Sequence, residues 1–312
     1  MLRILTHENI KGLNIDPALI LSAIKEALIL HSKGKVLLKP KVTLRPTEDT
    51  FYTAMAGGIP DMGFLGNKTI QRISSSKNGP SVRGAMMLHD AVSGDLLSLM
   101  DATWLTSMRT GAVAALTIDQ LANKEITKIG ILGLGNTGKA TLEFIKLLRP
   151  EIQRVYAVNY KDHAEFITKR FPDFSFIFVD DPKALLENCD VVITSLTYAK
   201  EPFVEPEWMR DGLLAVPIHM RGWQKCDKFF DKVFTDDHEH IRDWMPKVDG
   251  ELGQILSGQL AGREDERQKI IAYNYGIAID DIAIGKVVLE SAIKQGVGTL
   301  VDFEKFASKD VL

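Results

Sequence analysis

The chain has 312 residues, more than one small core requires, so we expect two domains. Hydrophobic residues make up 45% and charged residues 25% of the chain, as in ordinary globular proteins. The net charge of −3, with no cluster of Lys and Arg, excludes a polyanion-binding surface, and no nucleic acid is expected as a partner.

No apolar run of the sequence reaches the length that spans a bilayer, and residues 1–8 lack the apolar core of a signal peptide. We therefore expect a cytoplasmic protein without a membrane partner. Its two cysteines, Cys189 and Cys226, are not spaced as metal ligands, which predicts buried thiols in a reducing compartment.

The first third of the chain is predicted to form a helix followed by a sheet of short strands. Apolar side chains recur at helical spacing within residues 6–34, and Gly34 is suited to end that helix. Short strands then alternate with Gly and Pro, and Ser93-Gly94 predicts a hairpin turn. A helix with small side chains follows, which we expect Thr103 or Thr106 to cap. The predicted strands are Val42–Arg45, Phe51–Met55, Leu65–Ile70, Gly84–Leu88 and Leu96–Met100.

A glycine-rich turn follows the apolar run Ile129–Leu132, which is predicted to be a buried strand. The turn reads Gly133-Leu134-Gly135-Asn136-Thr137-Gly138, and a helix is predicted to begin near Gly138. In such a turn the first glycine bends the chain, the second admits a pyrophosphate and the third lets helix and strand pack closely. The helix N-terminus then faces the phosphates. This strand, turn and helix context favours dinucleotide binding over an ordinary glycine-rich turn.

After the turn, short apolar strands alternate with helices, which is typical of a parallel sheet buried on both faces. The pattern predicts a doubly wound domain over residues 117–275. A last helix, Ala278–Gln295, is expected to return to the first domain. The predicted strands after the turn are Val155–Val158, Phe176–Val179, Val191–Thr194, Leu213–Val216 and Lys232–Thr235.

Several motifs, taken in order, resemble the ornithine cyclodeaminase and mu-crystallin family over nearly the whole chain. They are Lys68 after a Gly-rich turn, Ser93-Gly94, Arg109-Thr110-Gly111-Ala112, the motif Gly133–Gly138, Thr194-Ser195 and Gly276–Asp281. The resemblance implies an α/β fold in which a Rossmann-type doubly wound parallel sheet, residues 117–275, is inserted in a second α+β domain. That second domain, residues 1–116 plus 276–312, would bind substrate and form a homodimer.

The resemblance also implies an NAD(P)-dependent oxidoreductase that transfers hydride at the α-carbon of a small amino acid or cyclic imino acid. Family activities include ornithine cyclodeamination, alanine dehydrogenation, ketimine reduction and opine-type dehydrogenation. Two alternatives stay open: an ornithine cyclodeaminase, which is an ammonia-releasing lyase with bound NAD, and a non-catalytic NADPH-dependent protein that binds a small ligand, as mu-crystallin does.

Three cations match the positions by which this family grips the substrate carboxylate: Arg45, Lys68 and Arg109. Arginine can hold both carboxylate oxygens, while a desolvated lysine can also exchange a proton with an imine nitrogen. Without the resemblance, Arg45 would read as a surface strand residue and Lys68 as part of an exposed turn.

A departure from the family follows the strand Leu213–Val216. Where many relatives place a catalytic aspartate, this chain has His219, or Met220 if the pairing shifts by one residue. His219 could act as a general base near neutral pH, or it could be a packed loop histidine. Met220 at that position would supply no base, which would disfavour cyclodeamination and favour reduction of a preformed imine.

The cofactor is expected to be NAD or NADP, with NADP slightly favoured. Asn159 stands where an NAD-specific fold usually offers an acid, and Lys161 could meet a 2′-phosphate, although Asp162 could be the acid in a longer turn. No metal site is expected, and His238 and His240 beside two aspartates read as a solvated loop. The predicted cofactor-binding residues are Thr110, Gly133, Gly135, Asn136, Thr137, Gly138, Asn159, Lys161, Thr194, Ser195, Thr197, Asn274 and Gly276.

Overall fold

The computed structural model describes residues 1–48, 50–72, 82–159, 163–196, 199, 201–218 and 222–303. The chain divides into two compact units, Met1–Arg109 with Ile277–Leu312 and Thr110–Gly276. Both cysteines are free and buried, as expected. Across the described ranges, every helix is too short or too polar to cross a bilayer.

The elements are numbered in chain order. The strands are β1 (Leu2–Leu5), β2 (Leu37–Leu38), β3 (Val42–Thr47), β4 (Thr50–Ile59), β5 (Phe64–Arg72), β6 (Val82–Asp90), β7 (Leu96–Asp101), β8 (Lys128–Leu132), β9 (Arg154–Val158), β10 (Ser175–Val179), β11 (Val191–Thr194), β12 (Leu214–Pro217), β13 (Lys232–Thr235), β14 (Gly250–Glu251), β15 (Ile270–Tyr273) and β16 (Thr299–Val301). The α-helices are α1 (His7–Gly12), α2 (Pro17–Ser32), α3 (Thr103–Leu121), α4 (Asn136–Leu148), α5 (His163–Arg170), α6 (Pro182–Asn188), α7 (Leu252–Leu256) and α8 (Ala278–Gln295).

The first unit is a sheet in the order β16-β1-β7-β6-β5-β4-β2, with β3 also paired to β4. Strand β1 runs parallel to β7, and the other pairs are antiparallel, so the predicted sheet of short strands is confirmed. Helix α8 packs against β4, β5 and β6, and α2 packs against α8. On the buried face, Met55, Lys68, Met86 and Met100 lie side by side across four strands. A lysine therefore sits in a row of methionines.

Two local predictions in this unit are wrong. The single helix expected over residues 6–34 is broken into α1 and α2, because Asn14 adopts a left-handed φ of 47°. The carboxylate of Asp16 then caps α2 by accepting from the amide of Ala18, and Pro17 begins that helix. Helix α3 begins at Thr103, and the carboxylate of Asp101, not a threonine, accepts from its first amide.

The second unit is a parallel sheet in the order β10-β9-β8-β11-β12-β15-β13-β14. Its first five positions follow the 3-2-1-4-5 strand order of a Rossmann fold. Strands β11, β12 and β15 are buried along their whole length, and α6 packs against β8, β9 and β10. The predicted fold class, a Rossmann-type parallel sheet with a second α+β unit, is confirmed.

Candidate functional site

The glycine-rich turn connects β8 to α4 in the second unit, and its three glycines meet different surroundings. Gly133 has a φ of 104°, and a Cβ there would lie 2.8 Å from the carbonyl oxygen of Ser195. A Cβ on Gly138 would lie 2.2 Å from the carbonyl oxygen of Gly133, so helix and turn touch through backbone. The fold itself therefore requires glycine at both positions.

Gly135 is different, because the fold does not require a glycine there. Its φ of −69° and ψ of −166° are open to any residue, and a Cβ would meet nothing within 4 Å among the described residues. Gly135 is also the N-cap of α4, which therefore begins two positions before the predicted Gly138 and has no side-chain cap. The first-turn amides of Asn136 and Thr137 are thus suited to an anion such as a pyrophosphate.

Two hydroxyls at the carboxyl end of β11 are held by hydrogen bonds, and one of these bonds reaches the turn. The Thr194 hydroxyl accepts from Nε1 of Trp223 at 3.1 Å, and the Ser195 hydroxyl donates to the carbonyl of Gly133. Asn159 follows β9 and is exposed, and its backbone N–H donates to the carbonyl oxygen of Val179 at 2.8 Å. The carboxyl ends of the parallel strands thus bring Thr194 and Ser195 to the turn, and Asn159 follows β9, the strand next to β8.

Helix α3 approaches α4 closely at Gly111, next to the buried Thr110. A Cβ on Gly111 would lie 2.6 Å from the backbone of Ala140 and Thr141. This contact explains the glycine at position 111, because a larger residue would separate the two helix backbones.

The predicted cofactor residues Asn274 and Gly276 are held by buried partners. The Asn274 amide oxygen accepts from the Thr117 hydroxyl at 2.9 Å, and Gly276, at a φ of 81°, donates its amide to Asp236 at 2.5 Å. Asp236 and its neighbour Asp237 are buried, so the expectation of a solvated loop here is wrong. Sequence reasoning missed Asp236, whose signal is an acid directly after a strand that ends in two buried residues.

In the first unit, Lys68 and Arg109 converge on one carboxylate oxygen. Lys68 Nζ donates to Oδ1 of Asp281 at 2.7 Å, and Arg109 Nε lies 3.2 Å from the same oxygen. Nη1 of Arg109 lies 4.0 Å from Oδ2 of Asp280, beyond hydrogen-bond length. Lys68 is only 1% exposed, so its alternative reading as part of an exposed turn is wrong.

Burial sets the proton affinity of Lys68. Desolvation, with a smaller contribution from the charge of Arg109, lowers the pKa of Lys68 from 10.5 to about 8, while Asp281 and then Asp280 act in the opposite direction. The charges of two carboxylates and two cationic side chains therefore balance in this cluster. Arg45 is not part of it, since it lies exposed on β3, where the pairing with β4 is irregular.

Four candidate positions lie outside the described residues: Lys161, Thr197, His219 and its alternative Met220. Asp162, the other candidate acid for the ribose, lies outside them as well. The sequence assigned no role to Asp280 or Asp281 beyond their place in a family-like motif.

This chain is similar to known dehydrogenases and reductases over most of its length. An alanine dehydrogenase from Archaeoglobus fulgidus is 29% identical, over 96% of this chain and 98% of its own. A Delta(1)-pyrroline-2-carboxylate reductase from Bacillus cereus is 27% identical, over 77% of this chain and 81% of its own. The solved structure of an archaeal alanine dehydrogenase dimer with bound NAD superposes with a TM-score of 0.85, at 28% identity, covering 96% of this chain and 99% of that one. The model of the ornithine cyclodeaminase/mu-crystallin family matches residues 3–296, and the chain belongs to that family.

Proposed function

We propose that this protein is an NAD(P)-dependent oxidoreductase that transfers hydride at the α-carbon of a small amino acid or cyclic imino acid, and that it acts in the cytoplasm. The observation that carries the proposal is the convergence of Lys68 and Arg109 on one oxygen of Asp281. Lys68 donates to that oxygen, whereas Arg109 lies beside it as an ion pair, so the N–H donors that these two buried cations leave over suit a second carboxylate, that of the substrate.

The described residues fit a dinucleotide. Gly135 leaves open space at a helix N-terminus without a side-chain cap, which is the arrangement that accepts a pyrophosphate. The nicotinamide ring supplies or accepts the hydride when it is bound. Asn159 offers an amide where an acid would select NAD, so we propose NAD or NADP, with NADP slightly favoured.

The roles of the two cations follow from their chemistry. The fork of terminal nitrogens on Arg109 would hold both oxygens of a substrate carboxylate and so orient the α-carbon. Lys68, with a pKa of about 8, keeps its proton at neutral pH yet can release it. We propose that Lys68 makes the second contact to the substrate carboxylate and donates a proton to an imine nitrogen. We propose Arg45, which is exposed on β3, as a further contact to the substrate carboxylate.

The proposal is tested by a substrate screen with both nicotinamide cofactors, run in both directions and followed by the absorbance of the reduced nicotinamide. A dehydrogenase or reductase changes that absorbance as substrate is consumed. Cyclodeamination, the lyase reaction, would need a base at the position of His219 or Met220 and gives ammonia with no net absorbance change.

We further propose that the protein is a homodimer joined through the first unit. Val42, Leu44 and Tyr52 are exposed, and Leu44 pairs with Tyr52 across β3 and β4, so they form an apolar sheet surface. A related alanine dehydrogenase structure is a dimer. Light scattering at micromolar concentration should give twice the chain mass, and a monomer would contradict this prediction.

A further inference from the structure

Asp281 is the residue through which the two buried cations meet. Its Oδ1 lies 2.7 Å from Nζ of Lys68 and 3.2 Å from Nε of Arg109. Its Oδ2 is also buried and accepts no hydrogen bond from any described residue. Within the described chain, the polar contacts of this carboxylate are therefore those to the two cations.

The surroundings leave Lys68 dependent on that carboxylate. Its neighbours across β4 and β6 are Met55 and Met86, which offer no charge. Asp281 stands in the first turn of α8, which packs on the same strands, so the backbone holds its carboxylate over the buried face. Arg109 contacts Asp281 through Nε, which leaves both terminal nitrogens of its guanidinium to form a fork.

We propose that Asp281 is a positioning residue for substrate binding, which orients Lys68 and Arg109 so that both cations bind one substrate carboxylate. The proposal rests on the function proposed above and adds to it a residue that itself contacts neither substrate nor cofactor.

A consequence for pH follows from the charges around Lys68. The groups that face it are Arg109 on α3 and the acids Asp280 and Asp281 on α8. Asp281 raises the pKa of Lys68 by its charge and by its hydrogen bond, whereas Asp280 acts by charge alone and more weakly. Removing the charge of Asp281 therefore lowers the pKa of Lys68 below about 8. Activity that needs protonated Lys68 would then be lost at lower pH than in the wild type.

The experiment compares Asp281→Asn with its neighbour Asp280→Asn, a matched change on the same helix at an acid that acts on Lys68 through its charge. Lysine side chains carrying 13C at Cε are titrated by NMR, with Lys68→Met to assign the Lys68 signal. We expect a midpoint near 8 in the wild type, a clear fall in Asp281→Asn and a smaller fall in Asp280→Asn. An unchanged midpoint in Asp281→Asn would overturn the proposal without any reference to substrate.

Steady-state kinetics give the second readout. In Asp281→Asn we expect kcat/KM to fall roughly tenfold to a hundredfold, mainly through KM, with the alkaline limb of the pH profile moved to lower pH. If Asp281→Asn kept the wild-type KM and the wild-type alkaline limb of the pH profile, the proposal would be overturned. A lower KM would also overturn it, because Asp281 would then compete with substrate for the cations.

A conservative variant covers the case in which Asp281→Asn does not fold. Asp281→Glu keeps the charge and displaces the carboxylate, so we expect a pH limb near that of the wild type with a raised KM. A wild-type KM in Asp281→Glu would count against positioning. If the wild-type protein turned over no substrate at all, the proposed function would fail, and the NMR midpoint would still decide whether Asp281 controls Lys68.

Discussion

Gly135→Val is expected to abolish nucleotide binding and to leave the fold intact. The backbone conformation at Gly135 is open to valine, and the added Cβ would meet no described atom within 4 Å. The new side chain would instead occupy the space that a pyrophosphate needs beside the first turn of α4. Loss of two charge-assisted backbone contacts would weaken binding by about a hundredfold or more, measured by calorimetry with NADH and NADPH.

Two other glycines serve as controls for this substitution. Gly12 ends α1 and also has open space around its Cβ position, so Gly12→Val should leave nucleotide affinity unchanged. Gly138→Val should destabilise the fold itself, because its Cβ would lie 2.2 Å from the carbonyl oxygen of Gly133. Wild-type affinity in a folded Gly135→Val protein would rule out dinucleotide binding at this turn.

Arg109→Lys is expected to reduce turnover sharply although it keeps the charge. A lysine has no Nε to contact Asp281 and no planar fork for two carboxylate oxygens, so the α-carbon would be poorly oriented for hydride transfer. The loss should be roughly tenfold to a hundredfold in kcat/KM, with more if orientation is lost as well. Nucleotide affinity should change much less, because the glycine-rich turn belongs to the other unit.

The matched control is Arg170→Lys, the same substitution at an exposed arginine paired with Glu143 at 3.2 Å. It should leave turnover unchanged. Full turnover in Arg109→Lys would make Arg109 a structural residue. A collapse of nucleotide affinity together with activity would place Arg109 in the nucleotide site and leave the carboxylate to Arg45 and Lys68.

The parts of the fold that depend on local sequence could be predicted. The strand, glycine-rich turn and helix occupy consecutive residues, and α8 has the bounds that its apolar spacing predicts, Ala278–Gln295. Strand pairing between segments that are distant in the sequence left no local pattern from which it could be predicted. Leu2 of β1 pairs with Val301 of β16 from the opposite end of the chain, and both strands are short, so neither was predicted.

The candidate site shows the same limit. Lys68 and Asp281 are 213 positions apart, and no local pattern connects a strand lysine to an acid in a distant helix. A signal for the burial of Lys68 was present. Successive side chains of a strand point to opposite faces of the sheet, so Lys68 of β5 lies on the same face as the buried Gly66. The sequence signal for the interruption between α1 and α2 at Asn14 was weaker, because asparagine tolerates the left-handed conformation without requiring it.

The most direct test of the proposed oxidoreductase is the absorbance of NADH and NADPH during turnover of a panel of amino acids and cyclic imines. We expect at least one substrate to change the reduced nicotinamide in equal proportion to product formed, and Arg109→Lys to suppress that change. Release of ammonia from an amino acid without any net absorbance change would contradict hydride transfer to substrate and identify a cyclodeaminase. Tight cofactor binding with no turnover across the whole panel would contradict catalysis and identify a binding protein.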